Sequence, residues 1–326
     1  MTKFWNVDTA FGLSPLDSLD GKFLYYFCLG HDFTKHDRGT TLPSLTKSDL
    51  LNLPMPVPPL SEQKRIVSIV DEAFEAIDIA IDNTEQNLTN ARELFDSYLN
   101  AIFTQKGEGW IEKKLDEIGG KVSTGPFGSL LHKSDYISGG IPIVNPANIE
   151  ESKIIPNFNK TISPDVARRM HAYILKENDV VVGRRGEIGR CAVVGEEEAG
   201  WLCGSGSFFI NPFKNVNSIF LAHLIRSTPY RSKLEELASG ATMLNLSNQS
   251  LSDLVIAMPS LDEQNQITNK LDDLRTENQR LEAIYQQKLT ALNELKQSIL
   301  HKAFTGELTA DQADLKTNIK PEAIAV

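Results

Sequence analysis

The residues best placed to do chemistry are three arginines in one short segment, GRRGEIGR, running from Gly183 to Arg190. Flanked by VVV and CAVV, the segment reads as a hairpin or tight strand-to-strand turn. Two readings stand side by side: solvated arginines on a turn that glycines make possible, or Arg184, Arg185 and Arg190 meeting phosphates or the O6/N7 edge of guanine. It is not a nucleotide cradle. GxxGxxG lacks the GxGxxG spacing, and no helix follows whose N-terminus would hold a pyrophosphate. A second polar stretch brings together Lys121, Ser123, Thr124, Phe127, Ser129 and Lys133; its small polar residues let a backbone approach DNA closely, with an aromatic ring nearby. A third, SGATMLNLSNQSL from Ser239, offers Thr242, Asn245 and Asn248 to base edges or phosphates, or is simply a helix end at Gly240 followed by a capped turn.

Searches for catalytic constellations fail. The NPF at Asn211 lacks the second proline of an amino-methyltransferase motif, and Glu151-Ser152-Lys153 has no upstream Pro-Asp to make a nuclease signature. There is no Walker loop and no HExxH. His132, His171, His223 and His301 are scattered without carboxylate or cysteine partners, and each reads as a surface or core histidine. Cys28, Cys191 and Cys203 show no CxxC spacing and read as reduced structural thiols. No catalytic residue, metal or cofactor is expected. A net charge of −10 argues against nucleic-acid binding until its distribution is read. Between Trp110 and Met243 basic and acidic residues nearly balance, so almost all the negative charge lies elsewhere, and the middle of the chain can meet DNA. The N-terminus lacks the layout of a signal peptide and no apolar run approaches a membrane span, so a cytoplasmic location is expected and no membrane partner.

The elements that must position these groups emerge from an internal repeat. Residues 45–104 match 246–305 at a constant offset of 201, through pairs such as Leu50/Leu251, Pro58/Pro259, Gln63/Gln264, Ile66/Ile267, Asp71/Asp272, Leu88/Leu289 and Phe103/Phe304. A four-residue insertion extends the match back through Gly39/Gly240 to Phe23/Phe220 and Phe11/Phe208. Each copy ends in a run without Pro or Gly, preceded by prolines that disfavour helix, with Ser61 and Asp262 as expected N-caps and Glu-Gln in the first turn. At 1.5 Å per residue each helix extends roughly 60 Å. Apolar residues recur at three-four spacing at Ile66, Val70, Ile77, Leu88 and Leu94, and at Ile267, Leu271, Leu274, Leu281, Leu289, Leu292 and Leu295. This is the pattern of two helices packed on one another. Between them GIPIVN, NDVVVG, RCAVVG and SFFINPF read as strands, and the segment from Phe220 to Gly240 as one or two helices, making a mixed α/β domain.

This layout of α/β domain, proline linker and long helix, then the same again, resembles the specificity subunits of type I restriction-modification systems. PVPPLSEQ, PSLDEQ, the FTGE that starts at Phe304, GIPIVN, ENDVVVGRRGEIGR and GATMLNLS carry the resemblance, which covers nearly the whole chain. It implies an α/β (α+β) target-recognition domain plus two long helices forming an antiparallel coiled coil. The chain would be a non-catalytic DNA-specificity subunit of a restriction endonuclease/adenine-methyltransferase complex. Its recognition domain would read half of a bipartite site on double-stranded DNA, and its helices would dock methyltransferase and restriction/motor subunits. The expected divisions are a partial first recognition domain (1–60), a spacer helix (61–108), a complete recognition domain (109–261), a second spacer helix (262–308) and a flexible tail (309–326). The chain departs from the family in having no counterpart of residues 109–200 in its first copy, which leaves the remnant's Phe4, Trp5, Phe11, Phe23, Tyr25, Tyr26 and Phe27 expected as exposed aromatic surface. A second copy of the chain, or another chain carrying the missing segment, would complete it. A fragment that occupies methyltransferase subunits without reading DNA is the rival function.

Overall fold

The computed structural model describes residues 11–36, 39, 45–127, 130–150, 152–238, 245–310 and 322–323. Ser129 and Thr242, together with Phe4 and Trp5, lie outside the described residues, as does most of the tail. The chain divides into two compact units, one formed by residues 1–90 with 281–326 and the other by residues 91–280.

Two helices run through both units: α3 (Leu60–Gln105) and α9 (Leu261–Thr305). They pack together antiparallel, and each unit displays this by itself. In the first, Lys296 pairs with Asp78, and Leu300 and Ala303 join Ile66, Val70 and Phe74 in one core. In the second, the Asn278 amide donates to the Ala91 carbonyl at 2.6 Å, Lys270 sits over the Tyr98 ring, and Leu271 packs with Leu99 and Phe103. Ile66, Val70, Ile77, Leu88 and Leu271 are buried, while Ile267, Leu274, Leu281, Leu289 and Leu292 are half-buried. Leu94 and Leu295, which the spacing assigned to the seam, are instead exposed by 49% and 47%. They are partners in the repeat, so one departure from the heptad explains both. The expected N-caps are also corrected: both helices start two residues earlier than those caps imply, and Ser260, not Asp262, caps α9, its hydroxyl accepting the Glu263 N–H at 3.3 Å. Pro59 holds that position in the first copy, where its carbonyl accepts the Glu62 N–H. No described helix is long and apolar enough to cross a membrane.

In the first unit α1 (Gly21–Gly30) lies on the helix pair and α2 (Lys47–Leu51) is capped by Thr46; two residues of β1 (Pro54–Met55) pair with β14 (Glu322–Ala323). The aromatic residues of α1 are not left exposed as expected. Phe23, Tyr26 and Phe27 are buried with Met55 against α3 and α9, Phe23 meeting Phe304 at 5.0 Å between ring centres, and only Phe11 and Tyr25 of the described set stay exposed. The two long helices substitute for a sheet as the surface that covers them.

The second unit carries the sheets. One has the order β10-β9-β12-β3, made of β10 (Cys191–Val193), β9 (Val180–Gly183), β12 (Ser207–Pro212) and β3 (Gly120–Thr124), all neighbours antiparallel. The other runs β11 (Leu202–Cys203), β5 (Ile141–Val144), β8 (Thr161–Ile162), β4 (Tyr136–Ile137). Two ribbons, β2 (Ile111–Lys114) with β13 (Val255–Met258) and β6 (Ile149–Glu150) with β7 (Lys153–Ile154), complete the strands. Short helices α4 (Leu115–Ile118), α5 (Pro164–Arg169) and α8 (Asn248–Ser252) fill the connections. Strand alternation divides the core: Val180, Val182, Phe208 and Ile210 face α6 (Ser218–Arg226), α7 (Thr228–Leu237) and the long helices, while Val181, Ala192 and Phe209 face Val144 and Cys203 of the smaller sheet.

The repeat recurs as a bonding pattern. Gln264 is buried; its Oε1 accepts the Asn217 N–H at 2.8 Å and its Nε2 donates to the carbonyls of Asn215 and Pro259. Gln63 is buried in the same way, with Asp20, Ser18 and Pro58 as partners. Asp20 and Asn217 in turn cap α1 and α6. The Gln of the Glu-Gln pair therefore ties each long helix to the N-terminus of the helix beneath it.

Candidate nucleic-acid interface

The segment from Gly183 to Arg190 is the loop of the β9–β10 hairpin, closed by the Gly183 N–H donating to the Arg190 carbonyl at 2.8 Å. Gly186 and Gly189 hold positive φ (75° and 83°), and Ile188 is buried beneath the loop as its anchor. A side chain at position 189 would also strike Arg231, 2.8 Å from where its Cβ would stand.

The three arginines have three different environments. Arg184 is not solvated: only 7% of it is exposed. Its guanidinium carbon lies 4.8 Å from the centre of the Phe127 ring and 5.3 Å from that of Phe208, and its Nε donates to Asn245 Oδ1 at 3.2 Å. Its backbone is fixed on both sides, the N–H donating to Gly206 O and the carbonyl accepting from the Leu246 N–H. Burial, with the charge of Arg185 beside it, pulls the guanidinium below its ordinary pKa, yet no group of this kind loses its proton near neutrality. Its Nη1 is buried and has no hydrogen-bond partner among the described residues. Arg185 is exposed and its backbone bridges to Asn245. Arg190 is half-buried and turned away, its guanidinium held by Glu187 and, at 3.4 Å, by the Pro146 carbonyl.

Three stretches far apart in sequence thus meet at one end of the larger sheet. Ser123 and Thr124, both half-buried, end β3 beside Phe209 and Phe208; Arg184 and Arg185 follow β9; Asn245 closes the site. Lys121 does not belong to it. It stands three residues back along β3, opposite Asn211, roughly 10 Å away at the rise of a strand. Lys133 sits apart, in the single helical turn that precedes β4 of the smaller sheet, at the edge of a cleft of about 660 Å³. Sequence reasoning missed Phe208, Asn145 and the Gly204-Ser205-Gly206 turn. Asn145 Oδ1 accepts the Gly206 N–H at 3.4 Å, and a Cβ at Gly204 or Gly125 would fall 2.2 Å from Asn145 Oδ1 or 1.9 Å from Gly204 O. Two glycines flanking a serine just ahead of an apolar strand were the available signal.

Among the described residues this buried cation is held by two ring faces and a single amide, with no carboxylate partner and with one donor left over for an acceptor. The arrangement suits an anionic or acceptor-rich ligand and provides no nucleophile or base. His223 is a core residue: burial, then Arg226 and Arg275, push its pKa down to about 3, and the Arg226 guanidinium lies 2.9 Å from its Nδ1. Cys191 and Cys203 are buried with raised pKa values, and among the described residues no group of acids, histidines and cysteines could hold a metal.

The family model described as the type I restriction modification DNA specificity domain matches residues 1–90 and 107–291. The chain is 22% identical over 321 residues to the type I restriction enzyme EcoBI specificity subunit of Escherichia coli, covering 90% of this chain and 67% of that one. It is 25% identical over 283 residues to a putative type I restriction enzyme specificity subunit of Haemophilus influenzae, covering 84% and 69%. The fold is shared with a chain solved in a study of complex assembly and conformational transition of the type I R-M system (TM-score 0.71, 24% identity, 90% of this chain and 73% of that one). It is also shared with the HsdS subunit from Thermoanaerobacter tengcongensis (TM-score 0.60, 22% identity, 90% and 72%).

Proposed function

Because the chain belongs to the type I restriction-modification DNA specificity family, we propose that it reads one half of a bipartite DNA target through the Arg184 face of its second unit. As in the relatives named specificity subunits, it is a DNA-specificity component and not a catalyst. The helix pair of α3 and α9 docks methyltransferase subunits, and the restriction/motor subunit joins that complex; the chemistry is theirs. One unit with four-stranded sheets among the described residues supports a single half-site reader, with a second copy or a completing chain supplying the other half.

The observation that carries this reading is Arg184, clamped between Phe127 and Phe208 with Nη1 unmatched and the exposed Arg185 beside it. To reach guanine O6/N7 the Arg184 guanidinium has to turn out from between the two rings that bury it, whereas Arg185 is already exposed to meet a phosphate. Methylome sequencing of cells expressing the chain with its methyltransferase partner tests it. A bipartite motif should appear with the wild type and lose one defined base with Arg184→Ala. Binding of methyltransferase without any methylated motif would reassign the chain as a decoy.

A further inference from the structure

The cleft that Lys133 borders carries two ammonium groups and, among the described residues, no carboxylate. Among the described residues it is formed by Lys133, Tyr136, Ile143, Asn145, Ala147, Asn148, Asn157 and Lys160, with no Asp or Glu. The acceptors of its amides are already used inside the fold: Asn145 Oδ1 by the Gly206 N–H, Asn148 Oδ1 by the Asn145 N–H at 3.0 Å, and Asn157 Oδ1 by the Asn159 N–H at 3.0 Å. Asn148 Nδ2 is also used, on the Ile155 carbonyl. Asp135, which adjoins the lining residue Tyr136 in sequence, is occupied by Arg169 at 3.1 Å and by the His132 N–H. The lining thus offers as donors the Nδ2 groups of Asn145 and Asn157, the Tyr136 hydroxyl and the two exposed ammonium groups, and its two positive charges meet no carboxylate within it. A ligand rich in acceptors and negative in charge complements the two ammonium groups and the amide donors of such a lining. Asn145 is shared with the Gly204–Gly206 turn that supports Arg184, so the cleft adjoins the proposed reading face.

We infer that this cleft receives phosphodiester groups of the DNA strand whose bases Arg184 reads, with Lys133 and Lys160 neutralising them and Asn145 and Asn157 donating to their oxygens. The inference rests on the DNA-reading proposal and extends the footprint from the larger sheet to the smaller one. Phosphate contacts position a protein on DNA without reading sequence, and each one neutralised contributes about 0.9 to the slope of log affinity against log salt.

The test is a salt titration of the full-length chain on its own motif and on scrambled duplexes, comparing the wild type with the double variant Lys133→Gln, Lys160→Gln. The expected result is a slope lowered by about two and affinity reduced about ten-fold or more on every duplex alike, with the preference for the motif unchanged; Lys133→Arg, Lys160→Arg should restore both. An unchanged slope in the Gln variant, with the wild type still binding DNA, overturns the cleft assignment and leaves the Arg184 reading standing. Wild-type protein that binds no duplex at any salt overturns both. Thymidine monophosphate provides the remaining arm: if it binds the wild type but not the Gln variant while the DNA slope stays unchanged, the cleft is a free-nucleotide site and not a backbone one.

Discussion

Replacing Gln264 with Leu keeps the volume of the side chain near α6 and removes three hydrogen bonds at once: the one accepted from the Asn217 N–H at 2.8 Å, and those donated to Asn215 and Pro259 at 3.2 and 3.0 Å. Each is worth about 1 kcal/mol net, and a buried donor stripped of its partner costs up to about 3 kcal/mol. Because Asn217 is half-buried, water partly replaces the loss at its N–H, and Asn215 is exposed. The total is about 3 kcal/mol, and at about 1.4 kcal/mol per ten-fold change it corresponds to roughly 100-fold in a local opening equilibrium. Hydrogen exchange followed by mass spectrometry reads this locally: peptides covering residues 217–226 should lose about two orders of magnitude of protection. Gln63→Leu should do the same to residues 20–30, since its three bonds are the same three. Protection of 217–226 unchanged by Gln264→Leu, or a large loss from one substitution and none from the other, would refute the claim that the two glutamines are one device used twice.

Arg184→Ala should cost about 1–3 kcal/mol of DNA affinity and relax one base position, whereas Arg185→Ala should weaken all sequences alike and lower the salt slope by about one, both read by fluorescence anisotropy. Leu271→Asp with Leu274→Asp places one carboxylate in a fully buried position and one in a half-buried position, and should cost several kcal/mol, seen as lost helicity and a lower melting temperature by circular dichroism. The pKa of His223 is about 3 in the folded chain against an ordinary 6.5, so the unfolded chain binds more protons between these values. Stability that is fully present above pH 6.5 should fall progressively as pH drops toward 3. Denaturant titrations across that window should show a shallower decline in His223→Gln, and an identical decline would remove the histidine as its cause.

Much of this architecture was legible in the sequence alone, because a repeat doubles each signal. The two long helices and their packing followed from it, whereas the matching caps, Thr46 and Ser247 on the short helices and Asp20 and Asn217 on the longer ones, were not read, and Leu94 and Leu295 were misplaced together. The valine run at 180–182 read as a strand, and the strand is buried on both faces. The site was harder to read because it is assembled from segments about 60 residues apart, and pairing of ends is not written in local pattern. The strand period nonetheless carried one further signal. The alternation that places Val180 and Val182 in the core continues to Arg184 on the same face and sends Arg185 to the other, so it separates the clamped arginine from the exposed one. The aromatic residues of α1 were misjudged because composition cannot say that two helices arriving from elsewhere in the chain will cover them.

The division of the chain into units has a consequence for the order of its birth on the ribosome. Residues 91–280 are contiguous, so everything the second unit needs is available once they have emerged. The first unit needs residues 281–326 as well, and its α1 helix buries Phe23 and Phe27 against Leu300, Ala303 and Phe304. Its earliest residues must therefore wait for the last, and joining ends about 200 residues apart carries a loop-closure entropy of about 5 kcal/mol by itself. Folding of the intervening unit first shortens that loop to a pair of helix stubs already held side by side. The second unit thus acts as the template on which the N-terminal segment is later completed, and damage to it should appear first as aggregation of the nascent N-terminus.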